Sequence, residues 1–178
     1  ISLHDELTGR DPRLAQTIFV PGQYIALGKT ETEPYNFSTS PTGYLLIKYV
    51  LEDSYGYNKS DNDMPLFRLA EQYLIFAEAK AELATLTQAD LDKSLNLLRD
   101  RVAMPHLMLS ALTAEDAYLQ SLYPNIVRTP SAQRAAVLEV RRERAVELLL
   151  EGFRYDDLMR WAEGEAFAQP MLGAAFAG

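Results

Sequence analysis

The sequence has no cysteine, which excludes disulfides, thiolate metal sites and cysteine nucleophiles. Its only histidines, His4 and His106, have no second imidazole at helical spacing, so a histidine-based zinc site is disfavoured. No apolar run approaches the roughly 20 residues of a membrane-spanning helix. No run of lysine and arginine offsets the formal net charge of −8, so binding to nucleic acid is disfavoured as well.

The remaining composition is that of an ordinary folded protein. The chain has 178 residues, of which 48% are hydrophobic and 24% charged, enough for one domain with a sizeable core. It begins at Ile1 without an initiator methionine and shows no signal peptide. We therefore expect a fragment or mature portion of a longer protein.

Residues 1–62 are punctuated by glycine and proline at short intervals, and we predict no regular helix there. The pattern predicts an irregular, loop- and short-strand-rich segment that packs on the rest of the chain. Thr17–Val20 and Gln23–Leu27 flank Pro21-Gly22 and predict a small hairpin, and Tyr44–Leu51 is a further candidate strand. The segment is also rich in aromatic residues.

From Pro65 the sequence becomes helical, and the fold class predicted is mainly α. Alanine-rich inner faces favour helical hairpins of tetratricopeptide-like type. The predicted helices span residues 65–84, 87–102, 113–123 and 129–151, and a short helix follows. The predicted caps are Asp63, Thr87 with Asp90, and Thr113 with Asp116. We predict an irregular segment over 1–62, an α-helical region over 63–165 and a poorly structured tail over 166–178, together forming one structural domain.

The stretch from Glu143 to Trp161 has an unusual density of charge. Three glutamates at four-residue spacing share a helix face, and three arginines lie close enough to reach carboxylates on this corner or on a neighbouring helix: Glu143, Glu147, Glu151, Arg144, Arg154 and Arg160. Gly152 is predicted to lie at a helix C-cap, and a second short helix with Tyr155, Leu158, Met159 and Trp161 on its apolar side follows.

Two interpretations of this charge are open. One is a catalytic carboxylate pair or an arginine site, and the other is a set of buried ion pairs that fixes how the last helices cross. Catalysis of this kind needs two carboxylates at a defined separation across a cleft, so a row of glutamates interleaved with arginines favours ion pairing. Trp161, the only tryptophan, is predicted to pack in the corner.

A calcium site is disfavoured. Asn58–Asp63 resembles an acidic calcium loop, but Asp63 and Leu69 stand where an EF-hand needs glycine and glutamate. We predict neither a metal nor a cofactor.

The corner carries a recognisable motif. Glu-Arg-x-x-Glu-Leu-x-x-Glu-Gly-x-Arg-x-x-Asp-Leu-x-Arg-Trp resembles the C-terminal signature of the SusD/RagB family. The matching positions are Glu143, Arg144, Glu147, Leu148, Glu151, Gly152, Arg154, Asp157, Leu158, Arg160 and Trp161. Further similar segments are Asp11–Leu14, Gly43-Tyr44 with Lys48-Tyr49, Pro65–Ala79 and Leu95–Arg101. The chain is thus similar to the C-terminal portion of a family member.

The resemblance implies a binding function without catalysis. Members are lipid-anchored proteins of the outer-membrane cell surface that cap a TonB-dependent, SusC-like transporter and deliver oligosaccharides, or in some branches peptides. The implied membrane contact is through a lipid anchor that this chain lacks. The resemblance implies that the motif residues have a structural role and do not identify the ligand pocket.

Ligand contacts are predicted at loop aromatics with polar neighbours, because flat ring faces stack on sugars while polar groups bond the hydroxyls. Tyr55 and Tyr57 beside Asn58 fit best, followed by Tyr35 and Phe37. The alternative is that these rings pack against the helical region. The rival class is a helical-repeat module that binds another protein, which requires an exposed apolar strip on the helices. A glycoside hydrolase requires two carboxylates facing each other across a cleft.

Overall fold

The structure is a computed structural model that describes residues 3–20, 42, 44–49, 63 and 65–170. The chain divides into two compact units, residues 1–65 with 170–178 and residues 66–169. The described part is mainly α, which confirms the predicted fold class. The predicted limits of 1–62, 63–165 and 166–178, and their assembly into one structural domain, stay predictions. Each helix described is too short or too polar to traverse a bilayer.

The first unit contains two helices where none was predicted, α1 (Leu3–Leu7) and α2 (Pro12–Thr17). The Asp11 side chain accepts a hydrogen bond from the Arg13 N–H at 3.0 Å and caps α2. Pro12 occupies the first helical turn, where its fixed φ is favourable and its missing N–H costs nothing. A proline that the sequence marks as a breaker therefore starts a helix.

An antiparallel bridge between Ile18 and Leu46 follows α2. The Phe19 N–H donates to the Leu45 carbonyl at 2.8 Å, and the Ile47 N–H donates to the Thr17 carbonyl at 2.9 Å. Ile18, directly after α2, thus pairs with the segment predicted as a later strand. The predicted hairpin partner, Gln23–Leu27, lies outside the described residues.

The second unit is built from six α-helices and three short 3-10 helices. The α-helices are α3 (Leu69–Glu82), α4 (Gln88–Asp92), α5 (Leu95–Asp100), α6 (Ala117–Leu122), α7 (Arg134–Glu147) and α8 (Arg154–Arg160). The 3-10 helices are Leu109–Ala111, Pro124–Arg128 and Gly164–Ala168. The most extensive helix–helix contact is between α3 and α7, the two longest helices.

The contact between α3 and α7 depends on small side chains. Ala70, Leu74, Ala77 and Ala81 are buried along α3, as the alanine-rich face predicted. Leu74 packs in a small cluster with Leu98 and Leu148, whereas Ala77 and Ala81 join the main apolar core. On the opposite side of that core lie Val137, Leu138 and Val140 of α7, each fully buried.

The start of α3 was predicted wrongly. The helix begins at Leu69 rather than Pro65, because Arg68 is extended at φ −143° and ψ 151° and provides no side-chain cap. Asp63 therefore does not cap it. Leu66 and Leu69 have the spacing of a buried helix face, but they are exposed because they lie at or before the first turn.

The predicted helix over 87–102 is two helices separated at Lys93–Ser94. The Ser94 hydroxyl donates to the Asp90 carbonyl within the core, and its backbone is non-helical at φ −135° and ψ −95°. The capping box of Thr87 and Asp90 is confirmed. The second predicted box is wrong, because Asp116 itself is the N-cap of α6 and accepts from the Leu119 N–H at 2.9 Å.

The long helix is shorter than predicted and begins at Arg134 instead of Thr129. Residues before it are held by contacts distant in sequence. The Ser131 hydroxyl donates to the Ala81 carbonyl, and the Gln133 amide pairs with both backbone groups of Leu86 at 2.9 and 3.0 Å.

Candidate functional site

The corner between α7 and α8 contains a network of buried charges. Glu147 and Glu151 lie one turn apart, and Arg68 spans them. Its guanidinium donates to Glu147 Oε1 at 2.8 Å, to the Glu147 carbonyl at 2.8 Å and to Glu151 Oε2 at 2.6 Å. Arg101 adds a contact to Glu147 Oε2 at 2.9 Å. Glu147 is therefore shared by two arginines from different segments.

A second set of pairs fastens α8. Arg144 Nε donates to both oxygens of Asp157, at 2.9 and 2.8 Å, and both side chains are 5% exposed. Arg160 contacts Asp157 Oδ1 at 2.9 Å and Glu78 Oε2 at 2.7 Å. The Trp161 indole N–H donates to Glu78 Oε1 at 2.6 Å. Asp157 and Glu78 thus tie α8 to α7 and to α3.

Trp161 lies in the corner beneath these pairs and is buried. Its ring meets Tyr123 edge to face, with centroids 5.6 Å apart. The Arg141 guanidinium lies over both rings, 4.9 Å from the Trp161 centroid and 5.9 Å from that of Tyr123. Arg154 covers Tyr123 from 5.4 Å and donates to its hydroxyl at 3.0 Å. Cations over aromatic faces are stabilising when shielded from water.

The turn between the helices differs from the predicted C-cap. The C-cap of α7 is Leu148, and Gly152 lies four residues further on, at φ +88°. Leu150 also adopts a left-handed conformation, at φ +64°, which is rare for a leucine. The glycine therefore serves the turn itself and does not end the helix.

Burial and pairing shift several pKa values in this region. Burial alone lowers the pKa of the Arg68 guanidinium, but its hydrogen bonds to Glu151 and Glu147 raise it overall. The same balance raises the pKa of Arg160 through Glu78 and Asp157. Both guanidinium groups therefore stay charged at any physiological pH.

Glu163 is the most deeply buried carboxylate beyond α8, at 2% exposed. Burial raises the pKa of its carboxyl, although Asn125 donates to it from the backbone N–H at 2.9 Å. The carboxylate fixes the 3-10 helix at Pro124–Arg128 against the turn after α8.

The surface of α8 carries exposed apolar side chains. Tyr155 and Met159 were predicted to be buried, but they are 60% and 52% exposed. The Tyr155 ring meets Phe167, with centroids 5.4 Å apart and planes inclined by 35°. A groove of about 500 Å³ lies beside Tyr155 and is lined by Arg144, Ala145, Leu148, Leu149, Leu150, Gly152, Phe153, Arg154 and Asp157.

Residues 3–174 match the SusD family. The chain belongs to this family. The match confirms the resemblance drawn from the signature at Glu143–Trp161. No curated protein and no solved structure matches the chain.

SusD family proteins are generally binding proteins rather than enzymes. They take part in nutrient uptake at the outer membrane, typically as cell-surface lipoproteins that work with SusC-like transporters and bind glycans. In this member the signature residues hold helices together. Glu147, Glu151 and Asp157 all bind arginines of the same chain, and Glu143 lies 3.8 Å from Arg99.

Within residues 3–20, 44–49 and 65–170, no cluster of three or more histidine, aspartate or glutamate side chains is placed to hold a metal ion. The predicted ligand residues of this SusD family member lie outside the described residues: Tyr35, Phe37, Tyr55, Tyr57 and Asn58.

Several residues of the network were not identified from the sequence. Arg68, Arg101 and Glu78 contact the signature from positions 46 to 83 residues away. No helical spacing connects such distant positions. The signal available was indirect, because Arg68, Glu78 and Arg101 all belong to the segments that resemble the SusD/RagB family.

Proposed function

We propose that the chain binds oligosaccharides at the outer-membrane cell surface and delivers them to a TonB-dependent, SusC-like transporter. The observation that carries this proposal is the match to the SusD family over residues 3–174. The corner agrees with it, because its charged side chains are used to connect α3, α7 and α8.

We propose further that the protein has no catalytic activity. A glycoside hydrolase needs two carboxyl groups about 5 to 10 Å apart across an open cleft. The carboxylates of the signature instead bind guanidinium groups, and Glu147 and Asp157 each bind two of them. These carboxylates therefore join separate segments of the chain.

The primary ligand contacts are proposed at Tyr55 and Tyr57 with Asn58, and at Tyr35 with Phe37. These residues combine ring faces that stack on sugars with an amide that bonds hydroxyl groups. The support is chemical and comes from the sequence, since these positions lie outside the described residues.

A second candidate function is recognition of another protein. Leu66, Phe67 and Leu69 are 81%, 86% and 61% exposed, and such a concentration of exposed apolar side chains is typical of an interaction surface. Peptide uptake, as in some branches of the family, is the third alternative. Both predict binding that does not depend on a glycan.

Affinity electrophoresis of the purified protein through gels that contain a panel of polysaccharides tests the proposal. We expect retardation by at least one glycan and its loss in the variant Tyr55→Ala plus Tyr57→Ala. The matched control is Tyr118→Ala, which removes a tyrosine that is 69% exposed on α6. Absence of retardation by every glycan overturns the sugar assignment and favours the peptide or protein ligand.

A further inference from the structure

Tyr155 and Phe167 form an exposed pair of aromatic rings on the second unit. The rings are 60% and 54% exposed, and their planes are inclined by 35°. The other ring pair near the corner, Tyr123 with Trp161, is buried instead. Aromatic faces left in water are costly when they serve no contact, so two adjacent exposed rings point to a ligand.

The two rings are held in place by buried polar groups. Tyr155 lies on α8, which Asp157 fastens to Arg144. The chain between α8 and Phe167 is fixed at Glu163, whose N–H donates to the Leu158 carbonyl at 2.7 Å. Rings positioned on a fixed backbone lose little conformational entropy when a ligand binds, so this pair is preorganised.

Gly164 allows the turn to pack closely on α8. A Cβ atom at this position would lie 3.2 Å from Met159 Sδ, closer than an ordinary van der Waals contact. Met159 is one helical turn from Tyr155 on the same face of α8. The 3-10 helix that begins at Gly164 carries Phe167, whose ring contacts Tyr155.

Charged residues of both signs are adjacent in sequence to the two rings. Arg154 and Asp156 flank Tyr155, and Glu165 is two residues before Phe167; all three are exposed. Within the part of the chain that the structure describes, none of the three forms an ion pair. They provide hydrogen-bond donors and acceptors at the edge of an apolar surface. The groove beside Tyr155 gives space for a ligand that extends past the rings.

We infer that Tyr155 and Phe167 form a second glycan-binding site on the surface, separate from the proposed site at Tyr35, Phe37, Tyr55 and Tyr57. The apolar faces of sugar rings stack on the two aromatic rings, and Arg154, Asp156 and Glu165 bond the hydroxyl groups. A sugar presents an apolar ring face edged by hydroxyls that both donate and accept, which matches this surface. The inference rests on the proposed function as a glycan binder.

The test is affinity electrophoresis and calorimetry with the polysaccharide that retards the unaltered protein most. We expect Tyr155→Ala plus Phe167→Ala to weaken binding about tenfold, the loss typical of truncated aromatic contacts. Tyr155→Phe should keep the affinity, because it preserves the ring face. Tyr155→Leu plus Phe167→Leu should weaken binding like the alanine variant, because leucine keeps the apolar volume without a flat face. Tyr118→Ala is the control and should stay within about twofold.

The outcomes separate the two proposals. If the unaltered protein is retarded and the alanine pair binds equally well, the site at Tyr155 and Phe167 is overturned and the proposed function stands. If the leucine pair binds as tightly as the unaltered protein, the surface acts through general apolar contact and the stacking site is also overturned. If no glycan retards the unaltered protein, the proposed function itself fails. Thermal unfolding of each variant should match the unaltered protein, since both side chains are mainly exposed.

Discussion

The two halves of α7 are buried to a similar degree by different chemistry. In the first half Ala136, Val137, Leu138 and Val140 are at most 2% exposed, within the main apolar core. In the second half Arg141, Glu143, Arg144 and Glu147 are at most 4% exposed, among charged partners. One helix therefore combines an apolar anchor with a buried electrostatic anchor.

The two halves of α7 differ in how specific their requirements are for the side chains that pack against them. Apolar burial is non-directional, so the first half requires volume and shape from the helices around it. A buried charge is costly unless a specific partner lies at the correct place. The second half consequently depends on Arg68, Arg101, Glu82 and Asp157, which come from separate segments. The signature of the family lies in this half, in the turn that follows it and in α8.

The largest effect is expected from breaking the charged half at Asp157. The change Asp157→Ala leaves Arg144 buried without its carboxylate, so we expect the free energy of unfolding to fall by about 4 kcal/mol. Urea denaturation followed by the fluorescence of Trp161 measures this loss. Asp156→Ala, at the exposed neighbouring position, should change stability by less than about 0.5 kcal/mol. A loss below about 1 kcal/mol for Asp157→Ala would show that the second half of α7 does not depend on its buried charge partners.

A comparable truncation in the apolar first half of α7 should lower the free energy of unfolding by somewhat less. Leu138→Ala removes buried methyl groups and leaves a cavity, so we expect a loss of about 3 kcal/mol. The same urea experiment applies, with Leu83→Ala as the control because Leu83 is 73% exposed. Leu138→Met should cost less than about 1.5 kcal/mol, since apolar burial tolerates a swap of similar volume. If Leu138→Ala and Leu138→Met lower the free energy of unfolding equally, the shape of the side chain, and not its volume, determines the stability of this half.

Removing a peripheral arginine should have a smaller effect. The Arg101 side chain is 50% exposed, and Glu147 keeps its contact with Arg68 when Arg101 is removed. Arg101→Ala should therefore cost less than about 1 kcal/mol. About 1 M salt should reduce the difference further, because exposed charges are screened. A loss as large as that of Asp157→Ala would show that the network is one cooperative unit without a periphery.

The smallest effect is expected at Glu163, where a substitution should alter how the free energy of unfolding depends on pH. Burial raises the pKa of this carboxyl, so its contribution to stability is present at acid pH and is lost as the pH rises through the raised pKa. Glu163→Gln removes the titration but keeps an oxygen that accepts from the Asn125 N–H. The free energy of unfolding of the variant, minus that of the unaltered protein, should therefore increase from about pH 4 to about pH 7.

Urea denaturation at a series of pH values measures that difference. Glu165→Gln, at an exposed position on the 3-10 helix that follows Glu163, is the matched control for the loss of a glutamate from this segment. A difference that is constant with pH, or that reverses its direction, would show that Glu163 titrates as an ordinary exposed glutamate.

Much of the helical framework was predictable because periodicity and caps are local. Leu91, Leu95, Leu98 and Val102 recur at helical spacing in the sequence and are buried, and the Thr87 capping box is present. The break at Ser94 was not predictable, since the apolar spacing continues unchanged on both sides of it. Backbone contacts such as those of Gln133 with Leu86 join residues 47 positions apart, and no local pattern signals them.

The candidate site was predictable in part. The sequence drew attention to the charged corner, but the partners Arg68, Arg101 and Glu78 required tertiary structure. Tyr155 was assigned to a buried apolar side because helical spacing alone does not say which face is covered. Its contact with Phe167 depends on the turn at Gly164, which the sequence pattern did not reveal.

One sample can test whether the protein binds a glycan and whether it leaves that glycan unhydrolysed. The polysaccharide that retards the protein most is titrated into it by calorimetry, and the same mixture is then assayed for new reducing ends over several hours. We predict saturable binding and a constant number of reducing ends. Reducing ends that increase with time and protein concentration, or the absence of saturable binding to any glycan, would contradict the account.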